Sequence, residues 1–285
     1  MSDYTLSRLA PAKLNLFLHI TGRRADGYHQ LQTVFQLLDY GDDLHFGIVP
    51  GGKLSLHISH ASPIKSVPVE DNLVIAAAKA LRKVADIPEL GANIKLFKRL
   101  PMGAGLGGGS SDAAATLLAL NQLWQLDFDI DALRDIGQQL GADVPVFVSG
   151  RSAWAEGTGD KLEPLDLPRH CFLVLTPEVS VSTARIFAEE RLTRDSQPIK
   201  ITDFMTGATR NDCQSITCKL YPEVGQALEW LSQFAEARMT GTGASVFAKF
   251  ADSASAEAVL QKRPSGLVGF VAHGINSLTP DILHN

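Results

Sequence analysis

A dense run of glycines lies between an apolar segment and an alanine-rich segment near the middle of this 285-residue chain. Five of the seven positions from 103 to 109 are glycine, with Pro101 shortly before them and Ser110 and Ser111 directly after them. A glycine-rich turn that leads into a helix exposes unpaired backbone N–H groups, and the helix dipole favours negative charge at the same place. These residue types at this spacing predict a phosphate-binding loop over residues 101–111.

Three common nucleotide-binding patterns compete for this loop. A Walker A loop needs a lysine directly after its last glycine, and Gly109 and Ser110 stand there instead. The dinucleotide fingerprint matches as a bare pattern through Gly103, Gly105 and Gly108, but several predicted elements precede it and no second strand ends at the acidic residues about 20 positions later. The protein-kinase loop fails because the following valine and the downstream strand lysine are missing. A purely structural glycine turn is the remaining alternative.

A lysine and an aspartate outside the loop stand in apolar surroundings. Lys13 interrupts the first apolar run, and Asp143 lies within the apolar segment 141–147. A buried lysine needs a carboxylate partner, and Asp143 is the natural one. The pair would hold Asp143 ionised and would place positive charge near a transferred phosphoryl group. On the residues alone, an edge-strand lysine with its head in solvent and an ordinary turn aspartate remain alternatives.

The residue patterns around these positions predict mixed helices and strands. Strands are predicted at 13–20, 33–38, 43–48, 53–59, 93–98, 171–176, 246–250 and 269–271, with a further short apolar strand after residue 143. Helices are predicted at 72–86 with Asp71 as the N-cap, and at 110–124, 131–140, 183–192, 222–237 and 254–262. The order lacks the regular alternation of a doubly wound parallel sheet, so the predicted fold class is α+β.

The composition is that of an ordinary globular protein. Hydrophobic residues make up 45% of the chain, charged residues 20%, and the net charge is -5, which argues against broad binding to nucleic acid or anionic membranes. The apolar runs are short and the N-terminus has no signal-peptide character, so a cytoplasmic location is expected. Cys171, Cys213 and Cys218 form neither a disulfide framework nor a zinc pattern and are interpreted as structural thiols.

Three sequence blocks together resemble the GHMP kinase superfamily, which includes galactokinase, homoserine kinase and mevalonate kinase. The blocks are Pro11-Ala12-Lys13-Leu14-Asn15-Leu16, the glycine loop, and Thr240-Gly241-Thr242-Gly243-Ala244-Ser245. The resemblance implies a two-domain α+β fold, with a ribosomal-protein-S5-like N-terminal domain at 1–162 and a ferredoxin-like C-terminal domain at 163–285. The proline-rich stretch 163–170 is the predicted boundary, and the active site is expected in the cleft between the halves.

Further motifs narrow the resemblance within the superfamily. The segments Arg24-Ala25-Asp26-Gly27-Tyr28-His29, Leu100-Pro101-Met102-Gly103 and Gly141-Ala142-Asp143-Val144-Pro145 are similar to members that phosphorylate the 2-hydroxyl of cytidine diphosphate methylerythritol, in the non-mevalonate route to isoprenoids. Ser245 departs from this pattern, which often has cysteine. Another GHMP small-molecule kinase, such as a homoserine or mevalonate kinase, is the alternative enzyme. A nucleotide-dependent oxidoreductase or a non-catalytic nucleotide-binding module is the alternative of a different class.

The resemblance assigns roles to individual residues. ATP is the implied phosphoryl donor, with Mg²⁺ carried by the nucleotide and no dedicated metal site in the protein. Asp143 is the implied catalytic base, with Lys13 as its partner. The implied ATP contacts are Pro101, Met102, Gly103, Ala104, Gly105, Leu106, Gly107, Gly108, Gly109, Ser110 and Ser111, with Asn72 and Lys98 on the adenosine side. The implied substrate contacts are Asn15, Tyr28, His29, Phe35, Thr183 and Phe187.

Three of these residues are implied to recognise cytosine. Tyr28 and Phe187 would enclose the ring, and His29 would hydrogen-bond its polar edge; such stacking contributes about 1–3 kcal/mol per base. Without the resemblance, Tyr28 and His29 would be ordinary surface residues and Phe187 part of a helix core. Asp112, just inside the helix after the loop, could be only a favourable first-turn acid. The turn 241–245 is expected to face the phosphates of the substrate.

The expected partner is therefore a small-molecule substrate, with no nucleic acid and no membrane. The chain is expected to be a monomer or a weak homodimer.

Overall fold

The structure is a computed structural model that describes residues 4–60, 71–207 and 209–278. Its strands are β1 (Leu6–Arg23), β2 (His29–Val49), β3 (Leu54–His60), β4 (Gly91–Lys98), β5 (Ala153–Gly157), β6 (Lys161–Pro164), β7 (Cys171–Pro177), β8 (Ala237–Met239), β9 (Val246–Phe250) and β10 (Leu267–Ile275). Its helices are α1 (Leu73–Ala85), α2 (Gly108–Leu123), α3 (Ile130–Leu140), α4 (Val144–Ser149), α5 (Thr183–Ala188), α6 (Ile201–Met205), α7 (Gln214–Leu220), α8 (Pro222–Ser232) and α9 (Ser253–Leu260). This mixture confirms the α+β class.

One sheet runs through both parts of the chain. Its main path is β3-β4-β2-β10-β7-β9-β8, with β1 and β5 also paired to β2 and β6 paired to β5. The β3–β4 pair is parallel, and the other pairs are antiparallel. β10 pairs with β7 along its length and with β2 only through Gly274 and Ile275. This narrow join pairs a strand of the predicted N-terminal half with a strand of the predicted C-terminal half, and the division at residue 162 stays a prediction.

The long β1–β2 hairpin carries the first group of site residues. Its register shifts between Pro11 and Lys13 and again between Asn15 and Leu18. Such bulges bend a strand and change the direction of its side chains. Between the two shifts the pairing is regular, so Lys13 and Asn15 lie on the same face of the sheet, and Phe35 is the cross-strand partner of Asn15.

The core of the N-terminal part surrounds α2. Most of its residues are buried, and alanines at 113, 114, 115 and 119 allow other elements to pack closely around it. A helix that is apolar around its circumference lies inside a core rather than on a surface. Its first turn therefore starts directly beneath the glycine loop and cannot shift independently of the core.

Two further cores combine residues from distant segments. Leu18 and Ile20 of β1 pack with residues of β7, α8 and β9, and a third cluster joins Leu14 and Phe17 to Phe172 and Phe247. β1 is thus buried on both sides along much of its length. Within the described ranges, no helix has the length and apolar character needed to cross a membrane.

Several predicted elements need correction. The apolar segment after Asp143 is not a strand but helix α4, with Pro145 in its first turn, where a missing N–H leaves no helical hydrogen bond unmade. The N-cap of α1 is Asn72, whose side chain accepts from the Val74 N–H, rather than Asp71. The strands predicted at 33–38 and 43–48 are one strand, β2. The helix predicted at 183–192 ends at Ala188, and the one at 222–237 ends at Ser232.

Candidate active site

Two cavities meet at the glycine loop. The larger cavity, about 1050 Å³, lies between β1, β2, α5 and the turn after β5. The smaller cavity, about 320 Å³, lies between the start of α1, the end of β4 and the glycine loop. Gly105, Gly107 and Ser110 line both cavities. A phosphate group held at these three residues would therefore be accessible from either side.

The predicted site residues divide between these cavities. Those predicted for catalysis and substrate binding line the larger cavity: Lys13, Asn15, Tyr28, His29, Phe35, Asp143, Thr183 and Phe187. Asn72, Lys98 and residues 101–110 line the smaller cavity. Ser111 is buried in the first turn of α2. The predicted contacts of the nucleotide and the predicted contacts of the substrate therefore line different cavities.

Lys13 and Asp143 form an ion pair beside the shared glycines. Their Nζ and Oδ2 atoms are 3.3 Å apart, and the exposed fractions of their side chains are 4% and 34%. The ammonium also donates to Asn15 Oδ1 at 2.6 Å and to the Gly105 carbonyl at 3.1 Å. The lysine is thus enclosed by acceptors, whereas the carboxylate reaches the larger cavity.

Asn15 holds Lys13 in place through a buried chain of hydrogen bonds. Its backbone N–H donates to Thr240 Oγ1 at 2.8 Å, and its side-chain Nδ2 donates to Thr33 Oγ1 at 3.0 Å. The Thr33 hydroxyl in turn donates to the Phe17 carbonyl. Both ends of the Asn15 amide are therefore engaged within the protein, and its direct contact with a substrate stays a prediction.

The glycine loop adopts a conformation that few other residues tolerate. Gly103, Gly105 and Gly107 have φ angles of 63°, 76° and 74°, in the left-handed region that favours glycine. A Cβ atom on Gly107 would stand 2.7 Å from Phe147 Cζ and 3.2 Å from Lys13 Cε. The loop therefore lies directly on α4 and on the lysine, and Asp143 precedes the same helix.

The turn 240–245 supports the loop from behind. A Cβ atom on Gly105 would stand 2.5 Å from the Thr240 carbonyl oxygen and 2.9 Å from that of Gly243. The Ser245 N–H donates to the Ala104 carbonyl at 3.0 Å. Gly241 and Thr242 of this turn also line the larger cavity. The turn 240–245 thus packs against the glycine loop and also forms part of the wall of the larger cavity.

A buried cluster of one lysine and two aspartates joins the two ends of the loop. Lys98 Nζ pairs with Asp42 and, at 2.8 Å, with Asp112. Asp42 Oδ1 accepts from the N–H groups of Arg99 and Leu100 at 2.6 Å and 2.8 Å. Asp42 therefore holds the loop entrance, and Asp112, one turn into α2, ties the start of that helix to Lys98.

The electrostatics of this cluster follow from burial and pairing. Burial alone would lower the pKa of Lys98, but Asp112 and Asp42 outweigh it and raise the pKa. Burial raises the pKa of Asp112 to about 7 against the pull of Lys98. The first turn of α2 contains no acidic residue, so the alternative of Asp112 as a first-turn acid is wrong. Because its ammonium is engaged by two carboxylates, Lys98 has a structural function, and its contact with adenosine stays a prediction.

Asn72 lies at the start of α1 and lines the smaller cavity. Its Oδ1 accepts from the Val74 N–H at 2.9 Å and caps α1. Among the residues that the structure describes, the amide nitrogen has no hydrogen-bond acceptor and can donate into the cavity. Met102, on the opposite side, is 41% exposed, which gives this cavity an apolar rim suited to a base.

Two of the predicted base-binding rings at the larger cavity stack on each other, and the enclosure of cytosine by Tyr28 and Phe187 stays a prediction. Phe187 stacks with His29, with ring centroids 4.8 Å apart and planes 20° apart. Tyr28 is 66% exposed at the same cavity. Arg194 Nε donates to His29 Nε2 at 3.0 Å. Burial and then the charges of Arg194 and Arg23 lower the pKa of His29, so the ring is neutral near pH 7.

The remaining predicted contacts form the floor and side of this cavity. The Phe35 ring is buried beneath Lys13, whose Nζ lies 5.4 Å from its centroid. Thr183 Oγ1 and Thr242 Oγ1 are 3.0 Å apart and link α5 to the turn 240–245. Sequence reasoning missed Asp42 and Arg194, because neither belongs to a motif and both act on residues distant in the chain.

Family comparisons match both parts of the chain. Residues 72–151 match the family described as "GHMP kinases N terminal domain", and residues 200–268 match the family described as "GHMP kinases C terminal". A protein of Marinobacter nauticus named 4-diphosphocytidyl-2-C-methyl-D-erythritol kinase is 54% identical over 270 residues, which cover 94% of this chain and 93% of that protein. A protein of Nitrosospira multiformis with the same name is 53% identical over 278 residues, covering 96% and 93%.

Solved structures agree with this relationship. The crystal structure of a 4-(cytidine 5'-diphospho)-2C-methyl-D-erythritol kinase superposes with a TM-score of 0.81 at 32% identity, covering 94% of this chain and 98% of that one. A mevalonate kinase superposes with a TM-score of 0.70 at 16% identity, covering 96% and 100%. The second likeness concerns the fold alone.

Proposed function

The chain belongs to the 4-diphosphocytidyl-2-C-methyl-D-erythritol kinases of the GHMP kinase family, and we propose that it catalyses the reaction of that kinase with the residues of the two cavities. It transfers the terminal phosphoryl group of ATP to the 2-hydroxyl of 4-diphosphocytidyl-2-C-methyl-D-erythritol, in non-mevalonate isoprenoid biosynthesis. The observation that carries the proposal is the Lys13–Asp143 pair at the junction of the two cavities.

Asp143 is the proposed general base. Its carboxylate reaches the larger cavity, where it accepts the proton of the 2-hydroxyl as the substrate oxygen attacks the γ-phosphorus. The bond between that phosphorus and the bridging oxygen of ADP breaks, and ADP leaves with the electron pair. Asp143, at the start of α4, is held next to the loop because α4 packs against Gly107.

Lys13 is the proposed electrostatic partner of this step. Its ammonium lies 3.3 Å from the carboxylate of the base. It is also next to Gly105 and Gly107, where the transferred group would pass. A fixed positive charge in a buried site stabilises the charge spread over a transferring phosphoryl group more strongly than one in water.

The smaller cavity is the proposed ATP site. Backbone N–H groups of the glycine loop and the N-terminus of α2 bind the phosphates, and Asn72 and Met102 lie on the base side. The three left-handed glycines turn the loop around this site. The Asp42–Lys98–Asp112 cluster fixes both ends of the loop, which keeps the donor groups in place before the nucleotide binds.

Mg²⁺ is the proposed companion of the nucleotide. Within the described residues, no group of three or more His, Cys, Asp or Glu side chains could hold a metal. Ser111 Oγ and Asp112 Oδ1 are buried without a hydrogen-bond partner in that part of the chain, and oxygen atoms are the ligands that Mg²⁺ prefers. Ser111 and Asp112 would be the residues that hold such a cation, and the cation would supply neutralisation of the phosphate charge.

The larger cavity is the proposed site of the cytidyl substrate. Tyr28, His29 and Phe187 form its base-binding end, and Asp143 lies at its glycine-loop end. Gly241 and Thr242 line the same cavity and would face the diphosphate between these two ends. The free thiols of the chain support a reducing compartment such as the cytoplasm.

An ADP-release assay tests the assignment. The cytidyl substrate, homoserine and mevalonate are compared with wild-type protein, and ADP release is expected with the first alone. Release with homoserine or mevalonate in place of the cytidyl substrate would overturn the proposed function.

The variant Asp143→Asn tests the base. Because general-base catalysis contributes about 10²–10⁴-fold, kcat is expected to fall by that factor while ATP affinity changes little. The control is Asp131→Asn, since that side chain is 86% exposed on α3. A kcat for Asp143→Asn within a few-fold of the control would remove Asp143 from the role of base.

A further inference from the structure

Arg194 holds together the two rings at the base-binding end of the larger cavity. Its Nη2 donates to the carbonyls of Phe187 at 2.9 Å and Glu189 at 2.7 Å, and its Nη1 donates to that of Leu192 at 3.1 Å. Its Nε donates to His29 Nε2 at 3.0 Å. One guanidinium thus fixes the end of α5 that carries Phe187 and, at the same time, the ring that stacks on Phe187.

This contact determines the tautomer of His29. Arginine carries five N–H donors and no acceptor, so His29 Nε2 must accept the hydrogen bond and cannot carry a proton. A neutral imidazole then has its proton on Nδ1. Within the described part of the chain, the hydrogen bond from Arg194 is the one that the ring makes. The Nδ1–H group therefore remains as a donor for a ligand in the cavity that His29 lines.

A fixed donor distinguishes the two pyrimidines. Cytosine has acceptors at O2 and N3 and an amino group at C4, whereas uracil carries a hydrogen on N3. An Nδ1–H donor matches cytosine N3 and opposes the N3–H of uracil. A site built to hydrogen-bond one partner discriminates strongly against an analogue that leaves its buried polar group unpaired.

We propose that Arg194 is a positioning residue for base specificity, which fixes His29 as the Nδ1–H tautomer so that the site accepts cytidyl substrates and rejects uridyl ones. This rests on the proposed function. Arg194 reaches the substrate only through His29. Its loss should act on recognition of the base and leave the ATP side unaffected, because the smaller cavity contains none of these residues.

The variant Arg194→Met tests this proposal, with Arg185→Met as the control. Arg185 is an exposed arginine of α5 itself, placed over the ring of Tyr221. The assay measures kcat/KM with the cytidyl substrate and with its uridyl counterpart, together with KM for ATP. Arg194→Met is expected to lower the cytidyl-over-uridyl preference at least tenfold, mainly by raising KM for the cytidyl substrate. The control should keep the wild-type preference for the cytidyl over the uridyl substrate. Both variants should keep the wild-type KM for ATP.

The ¹⁵N chemical shifts of the His29 ring in the wild-type protein give a second, independent readout. The expected spectrum has a protonated Nδ1 and an unprotonated Nε2 at pH 7.5, and Arg194→Met should give a mixture of tautomers. A wild-type spectrum with Nε2 protonated overturns the proposal, even where the variant fails to fold. An unchanged base preference in a folded Arg194→Met protein overturns it as well. Failure of the wild-type protein to phosphorylate the cytidyl substrate would instead refute the proposed function.

Discussion

The contact between the glycine loop and the turn behind it can be tested at a single atom. In Gly105→Ala the new Cβ would stand 2.5 Å from the Thr240 carbonyl oxygen and 2.9 Å from that of Gly243. Ordinary van der Waals contacts begin at about 3.5 Å, so the loop or the turn must move by most of an ångström. Both neighbours are backbone atoms, which cannot move away by changing rotamer.

A matched variant separates this contact from backbone strain. Gly51 has a φ angle of 74°, close to the 76° of Gly105, but a Cβ there would meet no atom of the described residues within 4 Å. Left-handed strain of about 1–2 kcal/mol applies to both alanine variants. The forced contact adds about 1–3 kcal/mol in Gly105→Ala alone. The free energy of unfolding is therefore expected to fall by about 2–5 kcal/mol in Gly105→Ala and about 1–2 kcal/mol in Gly51→Ala.

Activity should separate the two variants further. The Gly105 carbonyl accepts from Lys13 Nζ at 3.1 Å, so a displaced loop also displaces the lysine beside Asp143. A misplacement of about 1 Å costs roughly 10²-fold in rate. The measurements are urea unfolding together with kcat and KM from ADP release. If Gly105→Ala matched Gly51→Ala in both stability and kcat, the packing of the loop on the turn would not set the catalytic geometry.

Further predictions concern the buried ionisable groups. Lys98→Met leaves Asp42 and Asp112 without their cation, so the free energy of unfolding should fall by about 3–5 kcal/mol and KM for ATP should rise. The control is Lys95→Met, because Lys95 is exposed on the same strand. Equal effects of the two variants would contradict the role of the cluster. Because burial raises the pKa of Asp112 to about 7 from 3.8, the folded state binds more protons than the unfolded state between these values, and stability falls as pH rises from about 4 to about 7. Urea titrations without nucleotide should show this loss in wild-type protein and a smaller one in Asp112→Asn; identical pH profiles would argue against it. Burial raises the pKa of Cys213 to about 12, so iodoacetamide at pH 8 should not modify Cys213 before unfolding. Rapid labelling of Cys213 itself in the native protein, located by peptide mass spectrometry, would contradict its burial.

The sequence patterns that predict the site are local ones. The spacing of glycines around Gly105 predicts a turn that exposes N–H groups, and a lysine at position 13 within an apolar strand requires a partner. Both follow from rules that hold for any backbone. They locate the phosphate loop and suggest which carboxylate faces the lysine, because few carboxylates stand in apolar surroundings.

The signals that failed required distant partners. Residues 39–43 contain three aspartates and a glycine, which predict a break between two strands, yet β2 continues through them. Asp39 accepts from His273, and Asp42 pairs with Lys98, so tertiary contacts satisfy side chains that would otherwise favour a turn. The apolar run of α4 failed for another reason, since periodicity does not separate a short buried strand from a short buried helix.

The serine at position 245, where the family pattern often has cysteine, is compatible with the fold because the contacts there are mainly those of the backbone. The loop is held by backbone groups: the Lys13 N–H donates to the Leu106 carbonyl at 3.0 Å, and the Ser245 N–H donates to the Ala104 carbonyl at 3.0 Å. Any residue except proline offers such an N–H. The Ser245 hydroxyl points elsewhere and lies 2.7 Å from Thr176 Oγ1, inside the C-terminal core. A change of this side chain therefore alters the packing against β7, whereas the support of the glycine loop depends on the backbone path of the turn and on the glycines that allow it.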